Sequence, residues 1–125
     1  MITGVVGTII WTDDLDKLLD FYENVLGLTR HSRHSDFVSF RWGKFRLGIG
    51  LHKLVKGSSK DPYRIMINFG TKNIYPLVQQ LKDKGIQLLR GPDEEHWGGI
   101  VATIEDPDGN VIQFLQQPKE REHLG

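Results

Sequence analysis

The strongest constraint on the fold is an order of signals that the sequence runs through twice. Val5 to Trp11 reads as a strand, Leu15 to Val25 as a helix stopped by Gly27, and the residues flanking Trp42-Gly43-Lys44 as the two strands of a hairpin. From Arg64 the order returns, with a strand to Phe69, a helix over Ile74 to Lys84 stopped by Gly85, and strands flanking Asp108-Gly109-Asn110. Both helices carry one apolar stripe, Leu15, Leu18, Leu19, Tyr22 and Leu26 in the first and Ile74, Leu77, Val78 and Leu81 in the second. Pro76 falls near the start of the second helix, where a missing N–H costs little. The second hairpin is announced by Asp106-Pro107-Asp108-Gly109, in which proline presets φ and glycine takes the positive-φ position.

A strand, a helix and two or three further strands, given twice, predict an α+β fold of two βαβββ modules, each a curved half-barrel sheet with its helix outside. The 125 residues leave room for little else. The expected organisation is a single domain over 1–125, with module 1 at about 4–57, module 2 at about 62–117 and a polar tail at 118–125.

Composition narrows the function by exclusion. The formal net charge is +0 and basic residues are scattered apart from the run Arg30 to His34, read as a solvated connector, so neither nucleic acid nor an anionic membrane is expected as a partner. No apolar stretch approaches the roughly 20 residues that span a bilayer, and the N-terminus lacks the pattern of a signal peptide, so a cytoplasmic address is expected. The absence of cysteine rules out disulfides, thiolate nucleophiles and thiolate metal sites.

Asp14-Leu15 opening the first helix, Phe21-Tyr22 followed by Val25-Leu26-Gly27-Leu28, the Gly85-Ile86 exit and Trp97-Gly98 ahead of Asp106 to Asn110 together carry a resemblance. The chain resembles the vicinal oxygen chelate superfamily, the glyoxalase, bleomycin-resistance and extradiol dioxygenase fold, over nearly its whole length. That superfamily holds lyases, epimerases, dioxygenases, thiol transferases and non-catalytic sequestering proteins, so fold does not assign function. Resemblance also implies a homodimer, and the open edges of two half-barrels give a physical reason for pairing.

In such proteins each module contributes half of a cup, and alternation along the strands sorts inward from outward side chains. The resemblance places Gly7, Ile9 and Trp11 inward. Ile65, Ile67 and Phe69 read as a helix-packing face, leaving Arg64, Met66 and Asn68 inward, while Ile112 and Phe114 leave Val111, Gln113 and Leu115 inward. Aligning the hairpins on Gly43 and Gly109 puts Leu47 in the place of Gln113, with Ile49 next on the same face. Metal-dependent members hold a divalent ion with His or Glu from four strands. The resemblance puts those positions here at Gly7, at Leu47 or Ile49, at Arg64 or Met66, and at Gln113. None is a carboxylate or imidazole, and arginine repels a cation, so no metal and no other cofactor is expected.

The histidines are His31, His34, His52, His96 and His123. The last belongs to the polar tail and the first two to a connector, whereas His52 and His96 fall near the rim and are candidates for a hydrogen-bond donor or general base. Trp11, Trp42 and Trp97, with Phe40, Ile9, Ile49, Met66 and Leu115, are expected to line the cup, a surface suited to a flat, largely apolar molecule. Arg64 would pair with an anionic oxygen, and Asn68 and Gln113 would orient the ligand. The preferred reading is a metal-free binding protein that sequesters a small molecule. The alternative is a lyase, isomerase or dioxygenase, metal-free with Arg64 as clamp and His52 or His96 as base, or with relocated metal ligands.

Overall fold

In the computed structural model, which describes residues 1–119, the chain falls into two units, Met1–Ser58 and Ser59–Gly125. His123 and the rest of the polar tail beyond Lys119 lie outside the described residues. Each unit carries a four-stranded mixed sheet and a helix, in the order βαβββ.

The first unit runs through β1 (Gly7–Thr12), α1 (Leu15–Leu19) with a π-helical turn at Asp20–Val25, β2 (Ser32–His34), β3 (Phe37–Trp42) and β4 (Phe45–Leu51). Asp14 caps α1 by accepting from the Lys17 N–H at 3.2 Å. The predicted span of this helix holds, but its second half widens to the i→i+5 pattern, with Leu26 N–H reaching the Phe21 carbonyl. That half buries the adjacent rings of Phe21 and Tyr22, packed edge to face at 5.2 Å. The sheet order is β1-β4-β3-β2, with β1 parallel to β4 and the other pairs antiparallel.

The second unit repeats the plan in β5 (Ile67–Gly70), α2 (Ile74–Asp83), β6 (Arg90–Glu94), β7 (Ile100–Glu105) and β8 (Val111–Gln116), with sheet order β5-β8-β7-β6. Here α2 takes its N-terminal cap from a neighbouring strand: Ile74 N–H donates to Gln116 Oε1 of β8 at 2.8 Å. The turn between β7 and β8 is organised by buried Asp106. Its Oδ1 accepts from the N–H groups of Asp108 (2.9 Å) and Asn110 (3.0 Å), its Oδ2 accepts from Asn110 Nδ2 (2.9 Å), and Gly109 stands at φ +79°. No helix among the described residues is long and apolar enough to cross a membrane.

Two strand readings need correction. β5 starts at Ile67, not Arg64, because its partner runs out: Ile67 pairs with Ile112, so residues before Met66 would face the 106–110 turn rather than a strand. Ile65, expected on the helix-packing face, is accordingly 83% exposed. In β4 the predicted face is reversed. Ile49 pairs with Ile10 and Val38, and Leu47 with Thr8 and Phe40; Phe40, Leu47 and Ile49 are fully buried on the side of the sheet that α1 packs against. The residues of β4 on the other face are Arg46, Gly48 and Gly50.

Candidate functional site

The open face of the first sheet, away from α1, carries Gly7, Ile9 and Trp11 from β1, Arg46, Gly48 and Gly50 from β4, and Phe37 and Ser39 from β3. These positions follow from the pairing register, because directly opposed residues in a sheet share a face. Glycine at two alternate positions of β4 has a steric cause. A Cβ on Gly48 would lie 2.2 Å from Phe37 Cζ, and one on Gly50 would lie 2.6 Å from Phe37 Cδ2 and 3.0 Å from Trp11 Cζ3. The Phe37 ring therefore lies across the bare backbone of β4 and reaches Trp11, at 5.7 Å between centroids. On its far side Trp11 meets the His52 imidazole in a T-shaped contact at 5.1 Å. His52 Nδ1 accepts the Leu54 N–H at 3.1 Å, which leaves Nε2 as the nitrogen that carries the proton in the neutral ring.

A cleft of about 570 Å³ opens on this face. Its apolar wall comes from Val6, Ile9 and Phe37 and its floor from Gly7 and Gly48. Its polar wall comes from Ser32, Ser39 and His34, the two serine hydroxyls sharing a hydrogen bond of 2.5 Å. Thr8, Lys44 and Arg46 complete the lining, and among the described residues no carboxylate takes part in it. A volume of that order lies within the range for small-molecule sites, and the mix of apolar surface with a few converging polar groups is typical of them.

At Gly7 the close approach is to backbone rather than to a ring. A Cβ there would stand 2.1 Å from the Arg46 carbonyl oxygen and 3.0 Å from its carbon. Since the resemblance puts a metal ligand at this position, the chain lacks not only the ligand but the space for any side chain. The open face of β4 offers Arg46 and two glycines in place of a donor, and in the second unit Asn68 and Gln113 present neutral amides, hydrogen-bonded to each other at 3.2 Å. Among the described residues no three His, Asp or Glu side chains are grouped to hold a metal ion. The residues at these positions do not fit a divalent metal centre.

The remaining sequence candidates are distributed as follows. Arg64 sits outside β5 with its side chain 76% exposed and paired with Asp61 at 2.7 Å, so it is not the inward cation expected. Met66 precedes β5 and is half-exposed. Leu115 lies on the same face of β8 as Gln113, opposite Val101. Trp42 closes the β3–β4 hairpin opposite Phe45, on the helix-side face shared with Phe40, and not on the open one. Trp97 covers Gly99, where a Cβ would fall 2.1 Å from its ring, and so packs within the β6–β7 connection, with His96 beside it in the chain. Within the first unit Trp11 and Trp42 thus lie on opposite faces of the sheet.

Sequence reasoning did not pick out Phe37, Lys44, Arg46 or Gly48, and it read His34 as a connector residue. The available signal was the Gly48–Gly50 alternation within an otherwise apolar strand, which marks a close approach by another group.

Residues 4–114 match the family model described as the Glyoxalase/Bleomycin resistance protein/Dioxygenase superfamily. The chain belongs to that superfamily. Similar members include a Synechocystis protein described as "Probable lactoylglutathione lyase", 29% identical over 92% of this chain and 96% of its own, and the lactoylglutathione lyase of Neisseria meningitidis, 28% identical over 88% of each. Among solved superfamily folds, a glyoxalase/bleomycin resistance protein/dioxygenase from Nocardioides superposes with a TM-score of 0.75 over 95% of this chain and 87% of its own, at 17% identity. The lactoylglutathione lyase of Agrobacterium tumefaciens gives 0.71 over 93% and 95%, at 18% identity. These two establish the shared fold alone.

Proposed function

We propose that this chain is a superfamily member that binds a small, planar, largely apolar molecule without a metal, in the cleft on the open face of its first unit. Sequestration of a harmful compound is the role such a protein would serve. The observation that carries the reading is the aromatic surface of Phe37 and Trp11 laid over Gly48 and Gly50. A half-buried ring spread on bare backbone offers its outer face to a flat ligand, and a well-formed aromatic pair adds roughly 0.5 to 1.5 kcal/mol beyond area burial. The obstruction at Gly7 supports metal independence.

A second reading, lactoylglutathione lyase activity, draws on the names of the relatives. Against it stands the lack of a carboxylate in the cleft, together with the outward pairing of Arg64. His52, beside Trp11, is the residue that would serve as base in such a metal-free enzyme. A homodimer in the cytoplasm remains the assembly and address we propose.

Elemental analysis of protein purified without chelator, run beside a lactoylglutathione lyase assay with and without added divalent ions, tests the choice. The binding reading expects substoichiometric metal and no turnover in either condition. One equivalent of a transition metal, or turnover that requires one, would overturn it.

A further inference from the structure

The cleft is more specific than a flat apolar slot, because one end of it is cationic. Lys44 and Arg46 line it while the whole chain has a formal net charge of +0, so the positive charge is local. Elsewhere arginines are engaged: Arg30 with Glu23, Arg64 with Asp61, and Arg90 with both Asp93 and Glu95. Among the described residues no hydrogen bond or ion pair engages the side chain of Arg46 or Lys44.

Register orders these groups along one strand. Lys44 stands in the hairpin connection, Arg46 follows on the open face of β4, and Gly48 and Gly50 under the Phe37 ring come next. One residue, Leu47, separates Arg46 from Gly48, whose Cα atoms stand about 7 Å apart at the usual rise. Arg46 and Gly48 are thus successive positions on the same face, so a ligand whose ring rests on Phe37 over Gly48 has Arg46 beside it. A guanidinium is planar, weakly hydrated and forked, which suits it to grip a carboxylate at a partly exposed site where a lysine would stay hydrated.

We propose that the cleft takes a small aromatic monoanion, with Arg46 on its carboxylate, Lys44 reinforcing the charge, and the ring system lying along Phe37 toward Trp11. This rests on the binding function proposed above and adds the chemical class of the ligand. The Ser32 and Ser39 hydroxyls, on the same face, are placed to meet a ring substituent or the second carboxylate oxygen.

The test uses 2-naphthoate and 2-naphthamide, which match in shape and differ by one charge, titrated calorimetrically into the full chain. Binding of the naphthoate should be about fivefold to tenfold tighter, the range for a charge-assisted contact at a partly exposed site, and should weaken as salt rises. Arg46→Gln should remove most of the preference, weakening the naphthoate severalfold more than the naphthamide. Arg46→Lys, which keeps the charge without the fork, should retain only part of the preference, so the comparison holds even if the Gln variant folds poorly. Equal affinity for the two probes in the wild-type chain, or equal weakening of both by Arg46→Gln, would overturn the assignment of an anion while leaving the apolar cleft standing. If neither probe binds saturably, the binding function itself fails, and this proposal with it.

Discussion

Replacing Gly7 by alanine tests the closest backbone approach in the site. The added Cβ would stand 2.1 Å from the Arg46 carbonyl oxygen and 3.3 Å from its nitrogen, so β1 and β4 must separate locally. Overpacking of this kind costs about 2 kcal/mol. The same displacement strains the neighbouring Arg46 N–H to Val6 carbonyl bond of 2.9 Å, with a net loss of about 1 kcal/mol. Alanine also restricts the unfolded chain, which offsets about 0.7 kcal/mol. The net destabilisation is about 2 kcal/mol, or about 8 °C in Tm at the roughly 4 °C per kcal/mol expected for a chain of this size. Gly70→Ala is the matched control, since Gly70 also lies in an edge strand but a Cβ there meets nothing within 4 Å. It should be neutral or stabilising by about 0.5 kcal/mol. Thermal and urea unfolding followed by circular dichroism compare the two. A Gly7→Ala variant as stable as Gly70→Ala would refute the steric argument, and with it the claim that no ligand side chain fits at position 7.

Asp106→Ala removes the acceptor of three hydrogen bonds of 2.9, 3.0 and 2.9 Å in a buried turn and should cost about 3 kcal/mol in urea unfolding, against about 1 kcal/mol for Asp106→Asn, which keeps one acceptor oxygen. Gln116→Ala leaves the first N–H of α2 without its 2.8 Å partner and should lower stability by about 1 kcal/mol, an effect visible as a Tm shift of about 4 °C. Phe37→Leu keeps an apolar side chain over Gly48 and Gly50 but removes the flat face, so 2-naphthamide should bind about fivefold more weakly by calorimetry while Tm changes little.

The order of elements was legible because its signals are local. The helix stops at Gly27 and Gly85 and the Asp106 to Asn110 turn need only a few residues each to declare themselves, and the two βαβββ modules follow from them. Faces were harder, since they depend on loop length as well as on alternation. The β3–β4 connection holds two residues, Gly43 and Lys44, whereas that between β7 and β8 spans 106–110. Aligning the hairpins on their glycines ignores this odd difference, and one residue of slip exchanges the two faces of a strand. Leu47 and Ile49 were thereby assigned inward and Arg46 and Gly48 overlooked. The reading of Arg64 failed for a different reason: Arg64 to Asn68 alternates as a strand does, but a strand exists only where a partner faces it, and β8 begins at Val111. Phe37 went unread because its role lies in contacts with glycines eleven and thirteen residues away, which no periodicity records.

The location of binding is the most direct test of the account. Backbone amide chemical shifts recorded during titration with 2-naphthamide, which carries no charge, report where a flat apolar molecule settles. Saturable changes confined to Gly7, Ile9, Phe37, Gly48 and their strand neighbours are the expected result. Changes centred instead on Asn68 and Gln113, or none that saturate, would contradict it.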